Sequence, residues 1–158
     1  MIRYALIFSF GFLITLSANS QTIAQNKNAD SIAVNNQLSK FVKAFENLDF
    51  DQFQSFFAGN VTVFFPPSAM VSDRVDGKEK AMAVFKAFFQ RVKEKKSSPP
   101  YLEIKPQKLN VDLYGDVAVV TFELNDPGAL SRRTIVMKKV NGQYLIVHLH
   151  ASKADIPQ

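Results

Sequence analysis

The chain has no cysteine and no tryptophan, and only two histidines, His148 and His150. Without cysteine there is no disulfide scaffold, thiol nucleophile, thiolate metal site or cysteine-linked lipid. Two histidines are too few for a histidine-rich metal cage. A Gly-x-Ser-x-Gly nucleophile elbow is absent, as are internal repeats and low-complexity blocks. The longest apolar run, from Tyr4 to Leu16, is about 13 residues, and a membrane span needs about 20. What the chain has in excess is phenylalanine, fifteen residues against four tyrosines. Phenylalanine carries no polar handle, so this weight points to a greasy interior or cavity. At 47% hydrophobic and 21% charged residues, collagen-like and wholly disordered classes are excluded. A length of 158 residues allows one well-filled core.

The N-terminus reads as an export signal. Arg3 is the only charge in residues 1–20, the apolar run follows, and Ala18-Asn19-Ser20 is a small-residue cleavage site. Cleavage is expected after Ser20, with a second possible site after Ala24. Residues 21–30 are polar and aperiodic, a flexible leader; 31–153 form the domain and 154–158 a tail. The expected location is periplasmic or secreted, with no membrane association once the signal is removed.

From Asp30 the pattern turns helical. Val34, Leu38, Phe41, Val42, Phe45 and Leu48 form one stripe, with Asp30 or Ser31 as the cap. A short helix follows in 49–59, with Phe50, Phe53, Phe56 and Phe57 on its stripe and Gly59 as its stop. Val61–Phe65 is a short strand ended by Pro66-Pro67. A polar loop containing Asp73, Arg74, Asp76 and Gly77 leads to a third helix, buried through Ala81, Phe85, Phe88, Phe89 and Val92. After Ser97-Ser98-Pro99-Pro100 the chain becomes a β-meander. It comprises 101–105 with 108–114, then 116–124, 132–140 and 143–152. Asn141-Gly142 joins the last two strands as a tight hairpin. The order α-α-β-α-β-β-β-β makes an α+β fold, a curved antiparallel sheet wrapped around three helices to form a cone-shaped cavity.

Four strings resemble the SnoaL-like group of the nuclear transport factor 2-like (cystatin-like) superfamily. They are FVKAFENLDFDQFQSFFAGNVTVFFP, DGKEKAMAVFKAFF, YGDVAVVTFEL and RTIVMKKVNGQYLIVHLHAS. The last is also similar to the association domain of calcium/calmodulin-dependent protein kinase II. One departure is Tyr144, where the family pattern carries tryptophan. The superfamily contains isomerases, cyclases, dehydratases and hub domains, so the fold does not give the function.

Ketosteroid-isomerase chemistry needs a carboxylate base, and a tyrosine with a neutral carboxylic acid as an oxyanion hole. The resemblance puts these roles at Phe65, Phe41 and Val136, all apolar here, so no catalytic residue is assigned. Such a pocket suits an apolar ligand. The expected lining is Phe41, Phe45, Phe65, Phe88, Val136, Val147 and Leu149, with Arg132, Thr134 and Val136 turned inward on the penultimate strand. Arg132 or Arg74 is open to two roles, meeting a ligand carboxylate at the mouth or, the preferred reading, standing at a solvated strand end. Strand alternation puts His148, His150 and Ser152 on one face, and Leu145, Val147, Leu149 and Ala151 on the cavity side. The histidine pair is open to three roles: a dimer-interface or structural pair, pocket residues, or two legs of a metal site lacking a third ligand. No metal or cofactor is assigned. The lysines at 93, 95, 96, 138 and 139 lack interleaved aromatics, so no nucleic-acid partner is expected.

The expected function is therefore capture of a small apolar ligand by an exported homodimer paired through its outer sheet face. The competing classes are an isomerase, dehydratase or cyclase on a hydrophobic substrate, and a protein-assembly module.

Overall fold

The computed structural model describes residues 13–66, 74–126 and 129–155, with side chains from Lys27 onward except at 125, 126 and 155. Three helices, α1 (Leu13–Glu46), α2 (Phe50–Ser55) and α3 (Lys78–Lys95), accompany six strands. The strands are β1 (Phe57–Phe64), β2 (Arg74–Asp76), β3 (Gln107–Tyr114), β4 (Val117–Asp126), β5 (Ala129–Val140) and β6 (Gln143–Asp155). They form one curved, unclosed sheet in the order β2-β1-β6-β5-β4-β3. The sheet is mixed rather than wholly antiparallel, because β1 runs parallel to β6 while every other pair is antiparallel. The intervening helix α3 and the meander make that parallel pairing sterically possible.

The stripe on α1 is buried as its spacing predicts: Val34, Leu38 and Phe41 are buried, and Val42 and Phe45 pack against the core; Leu48 is buried too, but in the turn beyond the helix, at φ 49°. Each such side chain contributes about 1.5–3 kcal/mol when fully buried. The helix does not start at Asp30. It runs back to Leu13 through the segment 21–30 read as leader, while residues 1–12 of the expected signal lie outside the described residues. No glycine or proline interrupts the chain between Phe12 and Ala58, and extending a formed helix costs little once it is nucleated. Lys27, Asn28 and Ala29 are exposed, so the core contacts begin at Val34. Asp30 consequently does not cap; its Oδ1 accepts from Lys139 Nζ on β5 at 2.6 Å. Among the described residues no helix is long and apolar enough to cross a membrane.

Helix α2 is capped by Asp49, whose side chain accepts from the Gln52 amide. It ends at Ser55, before Gly59, because the chain is already in β1 from Phe57. The polar loop before α3 contributes the extra strand β2, pairing Arg74 with Phe64 and Asp76 with Thr62. Residues 101–105 are not a strand. The amides of Tyr101 and Leu102 both donate to the Glu46 carbonyl, and the Ile104 amide donates to Glu46 Oε1 at 3.0 Å. With three of its five amides committed to the end of α1, this segment cannot offer a continuous ladder edge.

The hairpin forms as expected, with Asn141 and Gly142 at φ 50° and 81° and Val140 opposite Gln143. Further along, the register slips: Met137 faces Ile146, but Val136 faces His148, leaving Val147 as the extra residue of a β-bulge.

Phe53 sits at the centre of the core, fully buried. Its ring centroid lies 5.3 Å from Phe41, 5.4 Å from Phe45, 5.0 Å from Phe57, 4.8 Å from Phe85 and 5.1 Å from Phe89. Those separations fall in the range where aromatic pairs attract beyond simple area burial.

Candidate functional site

A cavity of about 400 Å³ opens between the helices and the inner face of the sheet. Helix α1 supplies Phe41, Val42 and Phe45, and α3 supplies Val84, Phe85, Phe88 and Arg91. The end of β1 adds Phe65 and Pro66, and the segment before β3 adds Ile104. The sheet floor is Phe122 and Leu124 on β4, Arg133 and Ile135 on β5, and Leu149 and Ala151 on β6. Residues 67–73, which follow Pro66, lie outside the described residues.

Five expected lining residues meet here: Phe41, Phe45, Phe65, Phe88 and Leu149. Three do not. Arg132 is exposed, and Val136 and Val147 are half-buried away from the cavity. The cause is the bulge at Val147. An uninterrupted ladder from Asn141-Gly142 would set residue 134 opposite 149 and residue 132 opposite 151, turning Arg132, Thr134 and Val136 inward. The extra residue instead sets Ile135 opposite Leu149 and Arg133 opposite Ala151. Cross-strand partners share a face, so Arg133 and Ile135 take the inward positions. Before the bulge Tyr144 and Ile146 are the buried residues of β6, and Leu145 is only half-buried. Arg74 is also elsewhere, exposed on β2 and paired with Asp76 at 2.9 Å.

The position the resemblance reserves for an acid, Val136, thus lies outside the cavity, and its inward neighbour Ile135 is equally apolar. Among the described residues the lining holds no carboxylate, imidazole or hydroxyl; its only charged side chains are Arg91 and Arg133. An arginine stays protonated throughout the physiological range and offers donors only, so neither shuttles a proton near neutrality. Arg133 Nη1 donates to the Arg132 carbonyl at 2.9 Å and to the Ser152 carbonyl at 3.4 Å, which fixes its side chain along β5 and β6. Arg91 is exposed and makes no ion pair among the described residues. Sequence reasoning passed over Arg91 because charge on a helix reads as solvated. Its position one turn beyond Val84 and Phe88 on the same stripe was the available signal.

His148, His150 and Ser152 lie on the outer face, away from the cavity. Phe64, on the neighbouring strand β1, packs against both imidazoles, with ring centroids 5.7 Å from His148 and 5.5 Å from His150. Among the described residues no group of three histidine, aspartate or glutamate side chains is arranged to hold a metal. Lys93 lies over the Tyr101 ring at 5.6 Å, Lys96 donates to the Pro100 carbonyl, and Lys139 is held by Asp30.

The notable electrostatics sit where α1 meets the β5–β6 hairpin. Tyr144 is buried, and its hydroxyl has no hydrogen-bond partner. Burial pushes its pKa up, the Asp30 carboxylate pushes in the same direction, and Lys139 opposes them. The hydrogen bond to Asp30 raises the Lys139 ammonium above its ordinary value, against the effect of desolvation.

The backbone is similar to several solved structures. A candidate dehydratase of the nuclear transport factor 2-like family from Streptomyces avermitilis superposes with a TM-score of 0.66 at 18% identity, covering 80% of this chain and 97% of that one. A candidate ketosteroid isomerase from Parabacteroides distasonis gives 0.57 at 20% identity, over 74% and 84% of the two chains. A candidate calcium/calmodulin-dependent protein kinase II association domain from Xanthomonas campestris gives 0.53 at 20% identity, over 79% and 86%. At such identities the likeness carries the fold alone. No curated protein matches the chain in sequence. The model of the SnoaL-like domain matches residues 34–156, the span from the first buried residue of α1 through the last strand. The helices, the bulged sheet and the apolar hollow between them are therefore those of a chain that belongs to the SnoaL-like domain family.

Proposed function

We propose that this protein captures a small, mainly apolar ligand in the cavity without transforming it. The observation that carries this reading is the lining: seventeen residues, of which all but Arg91 and Arg133 are hydrocarbon side chains or proline. A volume of about 400 Å³ lies within the roughly 300–1,000 Å³ usual for small-ligand sites. Proton abstraction, the common step of isomerases and dehydratases, needs a base within reach of substrate, and the described lining offers none. The signal-like N-terminus supports export, and the outer sheet face, which carries Phe64, Val119, Val136, His148 and His150, supports pairing of two copies.

The test uses a polarity-sensitive probe, N-phenyl-1-naphthylamine. Wild-type protein is expected to bind it saturably at one site per chain. Val84→Trp, which fills the cavity from α3, is expected to lose that binding while remaining folded by circular dichroism. Overpacking of this kind costs about 1–3 kcal/mol, which a stable domain tolerates. Absence of saturable binding to folded wild-type protein would sink the proposal, as would unchanged binding by Val84→Trp.

A further inference from the structure

We infer that the ligand is an amphipathic carboxylate, with its apolar body in the cavity and its head group at Arg91. This rests on the cavity being a ligand site, as proposed above.

The argument starts from α3. Val84, Phe88 and Arg91 follow one another at i, i+4 and i+7, so they share one helix face, and all three line the cavity. The pattern calls for a hydrophobe at the third position, and the chain supplies a guanidinium. Val84 and Phe88 are half-buried while Arg91 is exposed, so the stripe runs from the interior to the mouth with the positive charge at its outer end. An arginine stem can lie along apolar surface while its head stays in water. Arg133 on the floor adds a second positive charge to the same wall. Among the described residues no acidic side chain contributes to that wall. The chain's net charge of +5 adds a long-range field of the same sign.

A neutral hydrocarbon would gain nothing from this arrangement, and a cation would be repelled. An oxyanion head is matched by the planar fork of arginine, and a carboxylate meets it with two parallel hydrogen bonds. Size follows from volume. At about 30 Å³ for each water-sized position, a cavity of about 400 Å³ holds roughly a dozen non-hydrogen atoms. Octanoate, or an arylalkanoate of similar length, is the right scale.

The experiment displaces bound N-phenyl-1-naphthylamine with octanoate, 1-octanol and octylamine at pH 7 and low salt. Octanoate is expected to compete at least about tenfold better than octanol, a difference of about 1.4 kcal/mol. Octylamine is expected to be the weakest. The preference for octanoate should shrink as salt is raised, because the head group is held at an exposed rim. In Arg91→Gln the octanoate-to-octanol ratio should fall severalfold. Equal competition by octanoate and octanol on wild-type protein overturns the inference, and so does a ratio left unchanged by Arg91→Gln. If octanol displaces the probe but octanoate is no better, the head-group assignment fails and the apolar site stands. If the probe itself does not bind, both fail together.

Discussion

Tyr144→Phe removes one oxygen from the core and should make the protein more stable. The Tyr144 hydroxyl is buried without a hydrogen bond of good geometry: the Asp30 carboxylate beside it is engaged by Lys139 and acts on the phenol by its charge and a poorly aligned contact. A buried polar group left unpaired costs about 1–3 kcal/mol. The substitution keeps the ring, its packing and the Lys139 ammonium 5.8 Å above it. The expected gain is about 1 kcal/mol at pH 7, or roughly 2–4 °C in Tm for a chain of this size. The pH dependence follows from the same groups. The folded-state pKa of Tyr144 is raised above 10.0, so the unfolded chain ionises first and stability falls as pH rises through the folded value. Lys139 is likewise raised above 10.5, so its contribution is full below that value and is lost as pH climbs through the folded one. Wild-type protein should lose stability above about pH 10, and Tyr144→Phe should lose less, keeping only the Lys139 part. Urea unfolding at pH 7 and across pH 9–11 reads both effects. A variant less stable than wild type at pH 7, or one with an unchanged alkaline slope, would refute the reasoning.

Phe53→Ala should cost about 3–5 kcal/mol in denaturant unfolding, because it empties the centre of five ring contacts; a loss below about 1 kcal/mol would mean the core re-closes around the gap. Glu46→Ala should cost roughly 1.5 kcal/mol by removing the carboxylate acceptor of the Ile104 amide. Hydrogen exchange at Ile104 should accelerate in that variant while the β5–β6 ladder stays protected, and equal protection of Ile104 in both proteins would show that the carboxylate does not hold this segment.

Much of the fold is legible in order. Val34 to Phe45 and Ala81 to Val92 carry the spacing of one helix face, and the structure packs those stripes into the core. Asn141-Gly142 is equally local, because positive φ at both positions is a property of those two residues. The aromatic wall that α1 and α3 give the cavity followed from the same helical stripes. Its charged part did not, because two neighbouring arginines, Arg132 and Arg133, differ only in strand phase. The bulge at Val147 decides that phase, and nothing in the local sequence marks it.

Residue order alone thus determined the α+β class, the helices that bury phenylalanine, and the hairpin that ends the chain, since each depends on interactions within a few positions. Tertiary structure decided the parallel pairing of β1 with β6, the capture of residues 101–104 by Glu46, and which arginine faces the hollow. Those outcomes depend on partners far away in sequence. One inserted residue in β6 exchanges the two faces of the strand beyond it, so the chemistry of the site was settled only when the sheet closed over the helices.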